Sequence, residues 1–509
     1  MPPDLRTRLR RRSTVAVAVI VAVTAGRAPA ARASEGAAAV LDDRADAAPA
    51  GRPPSYLRVA LEELGFLAIQ TAWYWGHDWS GDEKFNWSNW STRLTSYHDM
   101  VLDDDRFKTG AVGHPIAGTG YYLVARGNGM GVGGSFVVAV MASTFWQFFS
   151  EWNEKPATND LLVTPIAGWA IGEASYQLGQ YFLDRGPGVV DCVGAALFSP
   201  VATFNDARVC RLGSTDAGRR GERRRWHRFD LAVGTERSTL ESGVTLADLG
   251  ADASLTTHRL YQAPGRGVSL ARPGQWSNLS TDWLLAAGGH QGATFHADTI
   301  AVGNYRRQYD EPTDVGAPDG RGTLLALGTS FDYESRAIPV RWDRVMSVGI
   351  LGPMIEVATA RRPFELRARA AAYYGFAQVT SLAYPRLASS LSSQFIRSVL
   401  RNQGYYYAQA LLPSAEVEGR YGQFRLTLAG RAGEYWSING DDTHQSQITD
   451  GFSLRDARLL TAATLAVQPY CGPVRVALEF ASRFWDSSLL GQTVTAREET
   501  VGASVLVGL

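Results

Sequence analysis

The sequence predicts an all-β transmembrane barrel of about 12 antiparallel strands, preceded by an N-terminal helical domain. Three observations lead to this fold class: an export-type N-terminus, helical periodicity up to about residue 190, and alternating apolar and polar residues in the distal half. The predicted divisions are a signal peptide (1–33), a disordered lead-in (34–54), a helical domain (55–190), a linker (191–225) and an outer-membrane β-barrel (226–509).

The N-terminus has the composition of a secretory signal. Arginines between Arg6 and Arg12 precede an apolar stretch from Val15 to Val23, and Ala28-Pro29-Ala30 follows as a cleavage site. This stretch is too short to span a bilayer as a helix. We therefore expect export to the outer membrane of a Gram-negative bacterium. No later segment is predicted as a membrane helix, and residues 133–149 are expected to be buried against protein.

Charge and cysteine content restrict the function classes. The chain has 50 basic Lys and Arg residues and 50 acidic ones, and this zero net charge argues against a nucleic-acid partner. Cys192 and Cys210 could pair as a loop disulfide in an oxidising compartment, which would leave Cys471 as a free thiol. No His or second Cys stands at metal-ligand spacing around any of them, so we predict neither a metal nor a cofactor.

The helical part begins at Ser55. Leu57, Leu61, Leu64 and Ala68 form one apolar stripe of a first helix. Three more helices are predicted between His114 and Asp184, and small residues among them would let these helices approach closely. The small residues are Gly118, Ser143, Gly168, Ala170 and Gly172.

The distal half alternates with a period of two. Between Phe364 and Phe376, apolar residues share one face, whereas Glu365, Arg367 and Arg369 share the other. A soluble β-sandwich can imitate this pattern, but a charged interior does not suit a sandwich core, and strands of about ten residues suit a tilted membrane crossing. Partners of such a barrel would be outer-membrane lipid and the barrel-assembly machinery.

Polar residues of the helical part are the candidate functional residues, because helices packed through glycines would bring them inward. The catalytic candidates are His114, Glu151, Asp160 and Glu173, and the binding candidates are Tyr121, Tyr122, Arg126 and Asn159. A histidine with carboxylates can serve acid–base catalysis, but the same residues can form a buried network that fixes helix packing. No G-x-S-x-G, H-E-x-x-H or phosphate-loop motif occurs, and Gly127–Gly131 is interpreted as a loop between helices.

The stretch from Phe107 to Glu173 resembles an uncharacterised bacterial domain family that is found ahead of outer-membrane barrels. The residues that carry the resemblance are His114-Pro115, Gly118, Tyr121-Tyr122, Ala125-Arg126, Gly129, Trp146, Glu151, Glu154-Lys155-Pro156, Asn159-Asp160-Leu161, Gly168 and Gly172-Glu173. Gln147 stands where the family more often has Glu. The resemblance implies an exported helical domain with a barrel, and it implies no reaction.

Two functions therefore remain open. In the first, the barrel is not an enzyme, and the helical domain acts as a plug or a periplasmic domain for an envelope lipid or small-solute ligand. In the second, the protein is an outer-membrane hydrolase that acts on lipid or cell-wall material through His114 and the nearby acids.

Overall fold

The computed structural model describes most of the chain beyond the lead-in. The described residues are 54–77, 100, 102, 105–151, 156–185, 188–205, 227–240, 245–258, 265–286, 291–310, 319–338, 341–385, 399–438, 454–468, 473–489 and 491–508. The predicted signal peptide, Cys210 and Cys471 lie outside this range. Cys192 is disulfide-bonded.

Within the described residues, six helices precede the barrel and one lies between two of its strands. They are α1 (Tyr56–His77), α2 (His114–Gly127), α3 (Val132–Phe145), α4 (Thr158–Arg185), α5 (Val189–Phe198), α6 (Pro200–Asn205) and α7 (Val399–Gln403). A π-helical turn precedes α2 at Thr109–Gly113, and another follows α3 at Trp146–Ser150. Residues 191–205 of the predicted linker are therefore largely helical, because apolar residues of α5 and α6 continue the helical pattern.

The strands form one antiparallel sheet. They are β1 (His227–Leu240), β2 (Thr245–His258), β3 (Gly265–Ala271), β4 (Trp276–Ala286), β5 (Gln291–Tyr309), β6 (Gly320–Ile338), β7 (Arg341–Arg361), β8 (Phe364–Val379), β9 (Tyr406–Tyr421), β10 (Phe424–Ser437), β11 (Leu454–Val467), β12 (Val474–Leu489) and β13 (Gln492–Gly508).

The sheet closes into a barrel with 12 strand positions around its circumference. β1 pairs with β13, and β5 pairs with β6, so the sheet closes on itself. β3 and β4 pair with successive parts of β5, through Ala271 opposite Gly303 and Ser277 opposite Thr299. These two segments therefore share one strand position, which we name a stave. The predicted barrel and its strand number are confirmed.

Charged side chains face the lumen, as predicted. Ion pairs join strands that are not neighbours in the sheet, which is possible only across the interior of the barrel. Examples are Arg336–Glu498 at 2.8 Å, Arg458–Asp343 at 2.9 Å and Arg483–Glu334 at 3.6 Å. The alternate residues face outward and are apolar, and several are well exposed: Leu249, Trp283, Leu325 and Val501 each expose at least half of their surface.

The helices pack against the outer face of the barrel. One row of outward side chains, which we name the covered row, is buried although every strand presents it away from the lumen. Each member is the cross-strand partner of the next: Phe229, Leu255, Leu279, Ala297, Phe331, Val348 and Phe376. The row shares a hydrophobic core with the buried face of α4, including Ala167, Ala174 and Leu178.

This placement corrects the expectation of a helical plug or a periplasmic domain. The inward residues Arg367 and Arg369 pair with Glu356 and Asp298 of the barrel itself. The helices instead contact β2 and β4 to β7 from outside. A sequence pattern cannot reveal this, because a wall residue that touches a helix is as apolar as one that touches lipid.

The long helix α4 crosses the wall from one end of the barrel to the other. We name the end at which β1 begins the terminal end and the opposite end the loop end. At the terminal end, Tyr181 lies 6.0 Å from Phe229, measured between ring centroids. Toward the loop end, Phe107, which precedes α2, lies 5.6 Å from Tyr405.

The wall is interrupted where it meets α4. The segment Arg272–Gln275 breaks the stave between β3 and β4, and Gly274 adopts a φ of +81°. Its carbonyl accepts a hydrogen bond of 3.2 Å from the side-chain amide of Gln177. A Cβ at Gly274 would lie 2.5 Å from Glu173 Oε1, so glycine is required here for close approach as well as for φ. The break therefore ties the wall to the helix.

Candidate functional site

Close contact between α2 and α4 positions the candidate residues. A Cβ at Gly118 would overlap the carbonyl oxygen of Thr164, and a Cβ at Gly168 would lie 2.5 Å from the backbone of Gly118. The two helices run parallel, since Gly118 meets Thr164 and Tyr122 meets Gly172 farther along. The predicted approach through small residues is confirmed, and it leaves room for two buried polar clusters.

The first is the His114 cluster, which consists of Asp105, His114, Gln147, Glu151, Asn159 and Asp160. His114 Nε2 lies 3.3 Å from Asp160 Oδ1 and 3.7 Å from Asp105 Oδ2. The side-chain amide of Asn159 donates to Asp160 Oδ1 at 2.7 Å. Asp160 is almost completely buried. The cluster lies at the ends of α2, α3 and α4 that are nearest to the loop end of the barrel.

The charge on His114 is set by its acidic neighbours. Burial alone would lower the pKa of His114, but Asp160, Asp105 and Glu151 outweigh it and raise the pKa to about 10. The ring is therefore an imidazolium at neutral pH. In this form it pairs with carboxylates but cannot accept a proton, which is what a general base must do.

Gln147 is the central residue that sequence reasoning missed. Its side-chain amide donates to Glu151 at 2.7 Å and to Asp160 at 3.1 Å, and its carbonyl oxygen accepts from the backbone amide of Ala157 at 2.8 Å. One glutamine thus joins α3, the following turn and α4. The available signal was its spacing of four residues from Glu151 on a helix, which places both on one face.

The second is the Glu173 cluster, which consists of Tyr122, Arg126, Glu173 and Gln177. Arg126 contacts both carboxylate oxygens of Glu173, at 2.8 Å and 3.0 Å. The Tyr122 hydroxyl donates to the same carboxylate at 2.7 Å, and the Gln177 amide donates at 2.6 Å. Glu173 is fully buried, and four hydrogen bonds compensate its charge.

The eight predicted site residues therefore form two groups rather than one. His114, Glu151, Asn159 and Asp160 come together in the first cluster, and Tyr122, Arg126 and Glu173 come together in the second. Tyr121 belongs to neither, because its hydroxyl donates to Gln70 of α1 at 2.7 Å. Among the described residues, no group of His, Cys, Asp and Glu side chains could hold a metal ion.

The barrel lumen contains the other candidate site. A cavity of about 350 Å³ lies within it, and a smaller cavity of about 120 Å³ adjoins it toward the loop end. We name the larger one the lumen chamber. Among its charged residues, Glu236, Asp252 and Asp282 stand on β1, β2 and β4, and Arg367, Arg425 and Arg431 stand on β8 and β10 across the barrel. Both charges occur on each side, because Arg228 also lines it from β1 and Glu416 and Glu418 line it from β9.

Described residues enter the loop end of the lumen. After β8 the chain turns into the mouth, where the backbone amide of Ala383 donates to the hydroxyl of Ser487 at 3.0 Å. Apolar side chains from this segment, from α7 and from the strand ends pack together there: Ala383, Leu400, Tyr406, Leu454 and Leu489. These side chains fill part of this mouth.

Residues 99–201 match the model of a family described as a domain of unknown function, DUF3943, which confirms the resemblance of the helical part. No curated protein matches the chain. Similar solved structures include OmpT, an outer-membrane protein of Vibrio cholerae, at 8% identity, covering 56% of this chain and 97% of that chain with a TM-score of 0.21. The outer-membrane channel DcaP of Acinetobacter baumannii is similar at 10% identity, covering 56% of this chain and 97% of that chain with a TM-score of 0.22. Because these TM-scores are low, the barrel fold is established by the strand pairing of this chain itself.

Proposed function

We propose that the barrel binds a small polar solute that carries both a positive and a negative charge, and that the helices support the wall from outside. The observation that carries this proposal is the lumen chamber, in which the acids Glu236, Asp252 and Asp282 lie across the lumen from Arg431 of β10. A cavity of this volume suits a small molecule rather than a whole lipid. A zwitterion would complement both walls at once.

The acidic wall supports a ligand with a cationic group. Asp252 and Asp282 are direct cross-strand partners that line the chamber. Like charges in this position destabilise a sheet. Within the described part of the chain, Glu236 and Asp252 form no ion pair with a basic side chain. A bound cationic group would offset the repulsion between these acids.

The opposite wall supports an anionic group on the same ligand. Arg431 Nη2 lies 3.5 Å from the hydroxyl of Ser280, so the guanidinium reaches across the lumen toward β4. Arg367 and Arg425 are already paired, with Glu356 and Asp230. Arg431 is thus the arginine best placed to receive a carboxylate, and a guanidinium binds carboxylates with two parallel hydrogen bonds.

Calorimetric titration of the full-length protein in detergent tests this function. The probes are glycine and proline as zwitterions, choline as a cation and acetate as an anion. We expect a zwitterion to bind most tightly, with a loss of at least tenfold in affinity for Asp252→Asn and for Arg431→Gln. Leu327→Ala on the outer wall is the matched control. Equal affinities of all variants, or binding of no probe, would overturn the proposal.

The hydrolase alternative has less support. The His114 cluster does bring a histidine within 4 Å of two carboxylates, but the imidazolium cannot serve as a general base at neutral pH. Substituting His114→Asn and Glu173→Gln separates the two functions. Loss of lipid or cell-wall hydrolysis in a variant that still gives the heat-modifiable folded form would favour the enzyme. Loss of that folded form would favour packing.

A further inference from the structure

The outer face of the helical domain is apolar from one end to the other. Every exposed position of α1 between Tyr56 and Trp73 carries an apolar or small residue: Tyr56, Leu57, Ala60, Leu61, Leu64, Gly65, Ala68, Ile69, Ala72 and Trp73. The predicted stripe of Leu57, Leu61 and Leu64 thus faces away from the protein, with 55–73% of each side chain exposed. A helix on the surface of a water-soluble domain has the reverse pattern.

Two more helices extend this face. Val137, Val140, Met141 and Phe145 of α3 are exposed, and so are Val189, Val190, Val193 and Leu197 of α5. Thr144 is exposed among them, but its hydroxyl donates to the carbonyl of Val140 at 2.8 Å and needs no water. The expectation that residues 133–149 are buried against protein is wrong for this face. Val132–Ser150 is long and apolar enough to cross a membrane, and only 33% of it is buried.

Several charged residues of the described helices lie between these helices instead. Glu63 of α1 is buried, and so are Asp160 and Glu173 of α4. Arg126 and His114 neutralise the last two of these acids. A protein that is polar inside and apolar outside has the arrangement expected in lipid, where intramembrane charges face the interior of a bundle and pair with one another.

The ends of the apolar face have the residues of a membrane interface. Trp73, Tyr74, Trp75 and Trp146 gather where α1 and α3 end, with Tyr74 and Trp146 at a ring-centroid distance of 5.9 Å. Arg106 and Lys108, which precede α2, are exposed. The 18 residues from Tyr56 to Trp73 rise by about 26 Å in an α-helix, close to the roughly 25 Å apolar band of outer-membrane barrels.

The apolar face is continuous with the barrel wall. The covered row fixes the helices against the same outer surface that presents Leu249, Trp283 and Leu327 elsewhere. We propose that the acyl chains of the outer membrane cover α1, α3 and α5, so that the helical domain lies within the bilayer beside the barrel. The occupant of this face is lipid because the wall on both sides of the helices is itself a lipid-facing surface.

Charges within α1 and α4 bear on how these two helices are exported. Helices bound for the outer membrane first cross the inner one, where a uniformly apolar helix would be retained. Glu62 and Glu63 interrupt α1, and Asp160, Glu173 and Asp184 interrupt α4. These charges disfavour insertion of each helix alone. In the folded protein, Asp160 and Glu173 are buried and paired with His114 and Arg126.

Fluorescence quenching in vesicles tests this placement. Single cysteines at Leu64, Val137, Leu327 and Lys108 are labelled with NBD in a full-length background in which Cys192, Cys210 and Cys471 are all replaced by serine. The protein is folded into phosphatidylcholine vesicles whose acyl chains carry bromine. Leu327, on the exposed outer wall, is the lipid benchmark, and Lys108 is the water control.

We expect brominated lipid to quench the labels at positions 64 and 137 to within twofold of the label at 327. Aqueous iodide should quench only the label at 108. Strong iodide quenching at 64 and 137 would place the helices in water and overturn the proposal. Quenching by neither agent would mean that protein, such as a second copy of the chain, covers the face, and it would overturn the proposal equally. A heat-modifiability assay on each labelled protein ensures that only folded material is compared.

Discussion

Arg126 of α2 binds both carboxylate oxygens of Glu173 in α4, through Nε at 2.8 Å and Nη2 at 3.0 Å. The pair joins the two parallel helices next to the break in the barrel wall, where a Cβ at Gly274 would lie 2.5 Å from the same carboxylate. The guanidinium also lies 4.2 Å from the ring centroid of Tyr176. One ion pair therefore holds together α2, α4 and the stave formed by β3 and β4.

Neutralising one partner of this pair should be strongly destabilising. Glu173→Gln leaves the Arg126 guanidinium buried without its counter-charge, a change that costs about 3–5 kcal/mol in buried pairs. We expect the helical unfolding transition, followed by far-ultraviolet circular dichroism, to move to a clearly lower temperature. The double variant Arg126→Met with Glu173→Met removes both charges and should recover part of the loss. A double variant that is less stable than Glu173→Gln would contradict this account.

Alkaline pH should weaken the His114 cluster. The pKa of His114 is raised from 6.5 to about 10, so its stabilising effect is complete below about pH 6.5 and is lost as the pH rises toward 10. Denaturant titrations of the helical part should therefore show a midpoint that falls between pH 7 and pH 10. His114→Gln should be less stable at pH 7 and should show a smaller fall. Parallel pH profiles for the two proteins would count against the ion pair.

A single methyl group should separate α2 from α4. Gly118→Ala places a Cβ against the carbonyl of Thr164, where only a shift of backbone can relieve the overlap, and overpacking of this kind costs about 1–3 kcal/mol. Gly133→Ala in α3 is the matched control, because a Cβ there meets nothing within 4 Å. The control should gain up to about 1 kcal/mol of helix propensity. Thermal melting of both variants measures the contrast, and equal shifts would argue against the tight contact.

Removing an ion pair that crosses the lumen should loosen the chamber. Arg336 and Glu498 lie on β6 and β13, on distant sides of the barrel, and their side chains meet at 2.8 Å. We expect Arg336→Ala to increase the frequency of ion-conducting events in planar bilayers by several-fold. Arg497→Ala, which removes an exposed arginine next to Glu498 in sequence, should behave as the wild type. Unchanged conductance in Arg336→Ala would show that other contacts close the lumen.

The barrel could be predicted from sequence because its constraint is local. Alternation between Phe364 and Phe376 places Arg367 and Arg369 inward whatever the rest of the chain does. The position of the helices could not be predicted in this way. Leu279 touches a helix and Leu327 is exposed, yet both are outward leucines in the same alternating pattern.

The candidate site was predictable in its members but not in its grouping. His114 and Asp160 stand out in the sequence because they are polar residues of apolar helices. In the structure their side chains lie 3.3 Å apart, between His114 Nε2 and Asp160 Oδ1. The separation of Glu173 from His114 depends on the crossing of α2 and α4 at Gly118, a tertiary property. Asp105 was missed because nothing in the local pattern relates it to a helix that begins nine residues later.

The covered row makes the two parts of the chain interdependent. Beside it lie Thr257, Ser277 and Thr299, which are cross-strand neighbours on the outward face and are almost wholly shielded. Hydroxyl groups in such a place are poorly suited to hydrocarbon. A chain of residues 227–508 produced without the preceding helices would therefore expose the covered row together with these hydroxyl groups, a surface that neither water nor lipid solvates well. The Gly274 carbonyl would also lose its hydrogen bond from Gln177. Dividing the gene between residues 205 and 227 should yield two defective fragments, and supplying them together should restore a folded protein.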